Sequence, residues 1–222
     1  MKKIITTVLL SVSILSVDAQ VDRLAGPRVG VTMVQAGSLA SILRKDVSLF
    51  SDDIREEWTG STGKYGAVMS QYGWQWESRF LDGGDVVGIV EWIALVGGME
   101  KGYFLPSVSS MVGLRTASGF EFAAGPNLSI GGIAMVIGIG KTLKFGKLNV
   151  PVNIAYVPSM NKTYHNDAEY DFVDMRVDPD GVPDSGDEYY SYNEQVETSP
   201  AYSVTHPTGA RISVMVGFNL SK

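Results

Sequence analysis

The side chains that could do chemistry are concentrated in a few places. Between Asn161 and Pro207 stand eleven of the chain's 24 carboxylates, accompanied only by Lys162 and Arg176. Within that stretch Asp178, Asp180, Asp184 and Asp187 recur at intervals of two, four and three residues around Gly181. Clustered oxygen donors on a loop are what Ca²⁺ prefers, so these four aspartates are the candidate metal ligands. An acidic segment that simply keeps a surface solvated explains the same residues without a metal. The only histidines, His165 and His206, lie in or beside this stretch. His206 next to a carboxylate of the same loop is what an envelope protease or a lipid-A esterase would need, but no serine or aspartate motif supplies a partner for either ring. Gly138-Ile139-Gly140-Lys141-Thr142 lacks the upstream glycine of a phosphate-binding loop and reads as a strand. The absence of cysteine excludes thiolate catalysis, disulfides, Cys-ligated zinc and a lipidated N-terminal cysteine.

What positions these residues follows from the rest of the chain. An apolar share of 45% over 222 residues excludes a disordered polymer, and a net charge of −6 argues against nucleic acid as a partner. Met1-Lys2-Lys3 is followed by an uncharged run from Ile4 to Val17 and by the small residue Ala19. This is the pattern of a signal peptide over residues 1–19, leaving 20–222 as the mature chain, since 14 residues fall short of the ~20 a spanning helix needs. Export without cysteine points to a bacterial envelope. The uncharged stretch from Phe122 to Gly140 holds Pro126 and five glycines, so it reads as two short strands rather than a membrane helix.

Period two dominates the body of the chain. Val68, Ser70, Tyr72, Trp74, Trp76, Ser78 and Phe80 share one parity; Met69, Gln71, Gly73, Gln75, Glu77 and Arg79 share the other. The closing segment repeats this, with Ile212, Val214, Val216, Phe218 and Leu220 against Arg211, Ser213, Met215, Gly217 and Asn219. With strands near 28–34, 86–97, 103–115, 120–128, 133–144 and 148–158 the total is about eight, an even number that closes a small antiparallel barrel. Links at 82–85, 116–119 and 145–147 are tight, whereas on the other side 35–65 and 159–209 are long, although 97–102 and the link at Ser129 are short. That is the asymmetry of an outer-membrane barrel, with short periplasmic turns and two long extracellular loops. The expected fold is therefore an all-β, antiparallel, up-and-down membrane barrel. In it the aromatic parity, including Tyr72, Trp74, Trp76, Phe80, Trp92, Phe104, Phe120, Phe122, Tyr156 and Phe218, faces lipid.

The other parity then fills the lumen. Arg28, Glu77, Arg79, Glu91, Arg115, Glu121 and Arg211 are expected there as a mutually neutralised network, because a barrel this narrow holds only side chains and buried charges need partners. Solvation of some of them at strand ends is the alternative. A soluble β-sandwich or cup also alternates, but its outer face would carry Lys, Glu, Thr and Ser in quantity, whereas this polar parity is rich in Gly and small residues and short of Lys. In the first long loop, Ser38 is expected to cap a short helix through Leu39, Ile42 and Leu43, and Ser51 a second that places Ile54 and Trp58 one turn apart. The pair reads as a lid over the barrel mouth or as a docking helix.

Several segments carry a resemblance: Ser70 to Glu77, Gly119 to Leu128, Asn149 to Ala155 and Gly209 to Leu220 resemble small outer-membrane β-barrel proteins of the Bacteroidota type, across roughly residues 65–158 and 209–220. The resemblance implies a fold and a compartment, the bacterial outer membrane, and no activity. The closing strand looks like the signal read by the barrel-assembly machinery, with Ser221-Lys222 added after it. The stretch from Asp178 to Glu188 resembles a thrombospondin type-3 calcium repeat, with Arg176 where an acidic residue belongs. The expected function is non-enzymatic: a barrel with a closed lumen, set in outer-membrane lipid, whose surface loops bind an envelope protein or shield the envelope. The alternative is a narrow channel or carrier of small hydrophobic molecules, using the lumen around Gln71, Gln75 and Asn153. A hydrolase using His206 comes third.

Overall fold

The computed structural model describes residues 25–49, 51–177 and 190–220, with side-chain surroundings for all but 174–177, 190–192 and 220. The expected signal peptide and the four aspartates Asp178, Asp180, Asp184 and Asp187 lie outside the described residues. The alternating segments pair in chain order: β1 (Gly26–Val34), β2 (Ala67–Asp82), β3 (Val86–Gly97), β4 (Leu105–Thr116), β5 (Phe120–Ser129), β6 (Gly132–Phe145) and β7 (Leu148–Val157). The eighth barrel strand is β12 (Arg211–Gly217), continued after a break at Phe218 by β13 (Asn219–Leu220), and both pieces pair with β7. The ring closes where β1 meets β12, with Arg28 opposite Gly217 and Val34 opposite Arg211. The fold is thus a closed antiparallel β-barrel of eight strands, as the alternation and the short and long links imply.

The alternation sorts residues in the opposite sense to a soluble barrel. Trp76 is 50% exposed while its neighbour Glu77 is 3% exposed, and the same contrast holds between Trp92 and Glu91. All ten aromatic residues assigned to the outer parity are exposed. Inside, the wall is curved tightly enough that small residues are required. A Cβ at Gly73 would stand 1.9 Å from the Ala94 carbonyl oxygen on the adjacent strand, so only glycine fits there.

The first long connection folds into the barrel mouth. Helix α1 (Ser38–Arg44) buries Leu39, Ala40 and Leu43 against Val34, Met69 and Leu105, the inward residues at the outer ends of β1, β2 and β4. This apolar plug explains why so short a helix is stable, since helices of this length depend on tertiary packing. Ser38 does not cap it: Gly37 occupies the N-cap position without a side-chain bond, and Ser38 is the first buried helical residue. Ser41 does the anchoring instead, donating to the Gly37 carbonyl and accepting the Gly63 N–H, both at 3.0 Å. Ser51 precedes only a 3₁₀ turn, Asp52–Arg55, and its hydroxyl bonds the Asp53 carboxylate rather than a free backbone N–H. The turn ends at Arg55, so Ile54 and Trp58 do not share a helix face.

The second long connection is more ordered than its composition suggests. β8 (Asn161–Asn166) pairs with β11 (Tyr202–Pro207), and β9 (Glu169–Val177) pairs with β10 (Tyr190–Ser199), which together form a two-stranded ribbon rising from the barrel rim. The described side chains of β9 and β10 are exposed on both faces apart from half-buried Ser199, so apolar alternation is not needed there, whereas β8 and β11 turn Tyr164, Asn166, Val204 and His206 to a partly buried face. Below the ribbon, Met160 and Thr208 close the base with bonds of 2.7 and 2.9 Å. Replacing residues 161–207 by Asn-Gly is therefore expected to keep the β-sheet circular-dichroism signature and cooperative unfolding of the barrel. A collapse of either signal would show that the ribbon helps hold the barrel closed.

Candidate functional site

The inward residues of the lower barrel build an ionic cluster from five strands, β1 to β5. Glu77 of β2 and Glu91 of β3 stand directly opposite each other in register, a like-charge pairing that is unfavourable in isolation. Each is relieved by a different cation. The Arg115 guanidinium on β4 clamps Glu77 through both terminal nitrogens and also donates Nε–H to Glu121 Oε1 on β5 at 2.8 Å. Thr142 of β6 adds a hydroxyl bond to the same Glu121 oxygen at 2.8 Å. On the other side Arg28 Nε donates to Gln75 Oε1 at 2.8 Å, and Gln75 Nε2 donates in turn to Glu91 Oε1 at 2.5 Å. Arg28 reaches Gln75 by lying across Gly217: a Cβ there would fall 1.9 Å from Arg28 Nη1. The amide of Gln75 thus passes the Arg28 charge on to a carboxylate that the guanidinium does not contact itself.

Two of the seven charged residues expected in this network lie apart from its core. Arg211 sits nearer the mouth, donating to Asn127 Oδ1 at 3.0 Å and Ser129 Oγ at 3.2 Å, with Asn127 bonded onward to Ser109. Arg79 points toward the opposite end, and its Nε is buried with no hydrogen-bond partner among the described residues. Sequence reading places Gln71 and Gln75 in the lumen and Ser213 on the polar parity without joining them to the charges, and it does not single out Thr32 or Thr142. All stand on inward parities, so a rule admitting every polar inward residue to the network, not only charged ones, finds them.

Between the ionic cluster and the apolar plug the lumen encloses a cavity of about 80 Å³. One side is polar, with Arg28, Gln71, Gln75 and Glu91; the other is apolar, with Met111, Val136 and Val157. Asn153 also lines it, and the Asn153 Oδ1 atom is buried without a hydrogen-bond partner among the described residues. The space is enough for about five waters or one compact organic molecule.

Among the described residues neither histidine meets a carboxylate. His206 is buried, its Nε2 lies 2.9 Å from the Glu56 backbone oxygen, and its ring stacks on Trp58 with centroids 3.6 Å apart and planes 1° from parallel. The described partners of His206 are thus a backbone carbonyl and an indole of the first loop, a pin between the two long connections. No sequence signal joins residues this distant in the chain. His165 Nδ1 lies 2.7 Å from Ser203 Oγ, an exposed cross-strand pair, and neither ring has a carboxylate within salt-bridge reach among the described residues.

These features define a closed eight-stranded barrel with an apolar exterior, a polar lumen and a plugged mouth. No family model, curated protein or solved structure matches the chain. The sharpest test of the lumen is Arg115. Arg115→Met strands Glu77 and Glu121 in a buried site and is expected to cost about 3–5 kcal/mol in urea unfolding followed by tryptophan fluorescence. Adding Glu77→Leu and Glu121→Leu to that variant should recover most of the loss; equal stability of the single and triple variants would show that the three charges do not act as one unit.

Proposed function

We propose that this protein is a non-enzymatic outer-membrane β-barrel, closed to solutes, that presents its plugged mouth and acidic ribbon at the cell surface to bind an envelope partner or to shield the envelope. One observation carries the reading. The sheet exposes its large apolar side chains outward around the ring and keeps Arg28, Glu77, Glu91, Arg115 and Glu121 inside. In water that arrangement exposes apolar surface far beyond what a soluble monomer carries, whereas in lipid it is the stable one. Strand lengths support it: β2 to β7 run from 10 to 16 residues, and about 9–11 tilted residues cross a bilayer. The signal peptide expected at 1–19 and the likeness of the closing strand to a barrel-assembly signal are consistent with that route of export. The closed lumen follows from the plug above and the ionic cluster below.

A second reading, a carrier of small hydrophobic molecules, is favoured by the lumen cavity. Gln71, Gln75 and Asn153 all line it beside an apolar wall, and the Asn153 acceptor is free for a ligand hydroxyl or amine. Uptake of a compact aromatic alcohol by the purified barrel, abolished by Ala123→Phe within the cavity, would favour this reading over the closed one.

The membrane reading makes a prediction that the soluble alternative does not share. Val112, 57% exposed at the middle of β4, faces the proposed lipid. Val112→Arg is expected to destabilise the barrel in vesicles by about 2–4 kcal/mol, the cost of a cation at mid-bilayer depth. An unchanged unfolding midpoint, together with recovery of the native chain in the soluble periplasmic fraction, would overturn the assignment.

A further inference from the structure

A second cavity opens at the outer rim, where the first connection meets the base of the ribbon. It encloses about 270 Å³, just under the ~300 Å³ at which pockets for drug-sized ligands begin. Its floor is apolar, made by Leu39 and Ile42 of α1, Leu49, and Ile130 of the link between β5 and β6. Two cations from different segments stand at its edge, Arg55 of the first connection and Lys162 of β8, together with one carboxylate, Asp52. Among the described residues the cations outnumber the carboxylate, and neither is closely paired. Arg55 has only Asp52 at 3.7 Å, with an aspartate side chain 95% exposed, a pairing that solvent largely screens. Lys162 has no carboxylate within salt-bridge distance among the described residues; its ammonium lies 5.1 Å over the Tyr164 ring.

The wall carrying Arg55 is tied to the strand pair carrying Lys162. Asn166 Nδ2 donates to the Arg55 carbonyl at 2.9 Å, and one residue further on His206 holds the Glu56 carbonyl and stacks on Trp58. The first connection and the base of the ribbon thus pin each other without a ligand, with Ile130 of the β5–β6 link completing the floor, and such preorganisation lowers the entropy a ligand must give up. An apolar floor with two cations and one carboxylate at the rim carries a net positive charge and matches a molecule with an apolar body and an anionic head. A bare phosphate would leave the floor wet, and an amine would meet two like charges against the single Asp52 carboxylate.

We propose that this cleft binds a small organic anion, a carboxylate on a compact apolar body of medium-chain or aryl type. The inference is independent of the membrane reading, because the same three segments would form the cleft on a soluble barrel. Octanoate is the probe, titrated into the full chain in lipid nanodiscs with isoleucine methyl groups observed by NMR. Saturable shifts are expected at Ile42, Ile54 and Ile130, with octylammonium and octanol binding at least about tenfold more weakly. Arg55→Gln and Lys162→Gln should each weaken octanoate by about five- to tenfold, and Ile130→Asp should abolish the shifts while the remaining methyl spectrum is unchanged. Absence of saturable shifts, equal binding of octanol or octylammonium, or full affinity in both cation variants would overturn the proposal. The barrel fractionation described above is read separately, so failure of either idea leaves the other standing.

Discussion

Arg115 shared between Glu77 and Glu121 is the interaction on which the interior depends. A sheet closed with its polar parity inward must place charges where water is scarce, and unpaired buried ions cost several kcal/mol each. Here three carboxylates are served by two guanidiniums, one in direct contact and one acting through the Gln75 amide. The register puts Glu77 opposite Glu91, so the barrel cannot close favourably unless both cations are seated. Arg28 in turn lies across Gly217, where a Cβ would push its guanidinium aside. Ionic pairing and strand register are consequently linked.

Above the cluster the interior changes character. The lumen passes from charged to mixed polar and apolar, and then to a dry plug formed by Leu39, Ala40 and Leu43 on the inward ends of three strands. A short helix with no side-chain N-cap is held by that packing and by Ser41, which ties it both to Gly37 and to the far end of its own connection at Gly63. The gradient leaves a cavity where neither the ionic cluster nor the plug fills the space, and both readings of the lumen, sealed or ligand-bearing, start from that gap.

Outside the barrel, the two long connections are coupled. Trp58 and His206 stack face to face, and Asn166 reaches the Arg55 backbone, so the first connection leans on the base of the ribbon rather than lying free. Beyond that base, among the described residues, β9 and β10 pair only with each other. Tyr170 and Phe172 are more than half exposed on this pair.

By itself the sequence determined the strand count, the two faces and the order of short and long links, because side-chain alternation in a strand is a local property with an unbroken period. It also placed Glu77, Arg115 and Glu121 on the inward parity. It could not say which of the inward charges would meet. Arg79 and Arg211 share that parity yet stand away from the cluster, since partnership depends on the stagger between strands, which no single strand encodes. The upper ribbon leaves no period-two signal because the described side chains of β9 and β10 are exposed on both faces. Of the two expected caps, Ser38 gives way to Gly37 and to packing of the helix, and Ser51 has no α-helix to cap because only a 3₁₀ turn forms after it. The outer cleft and the Trp58–His206 pin belong to tertiary structure alone: their residues come from segments far apart in the chain, and only closure of the barrel brings those segments to one rim.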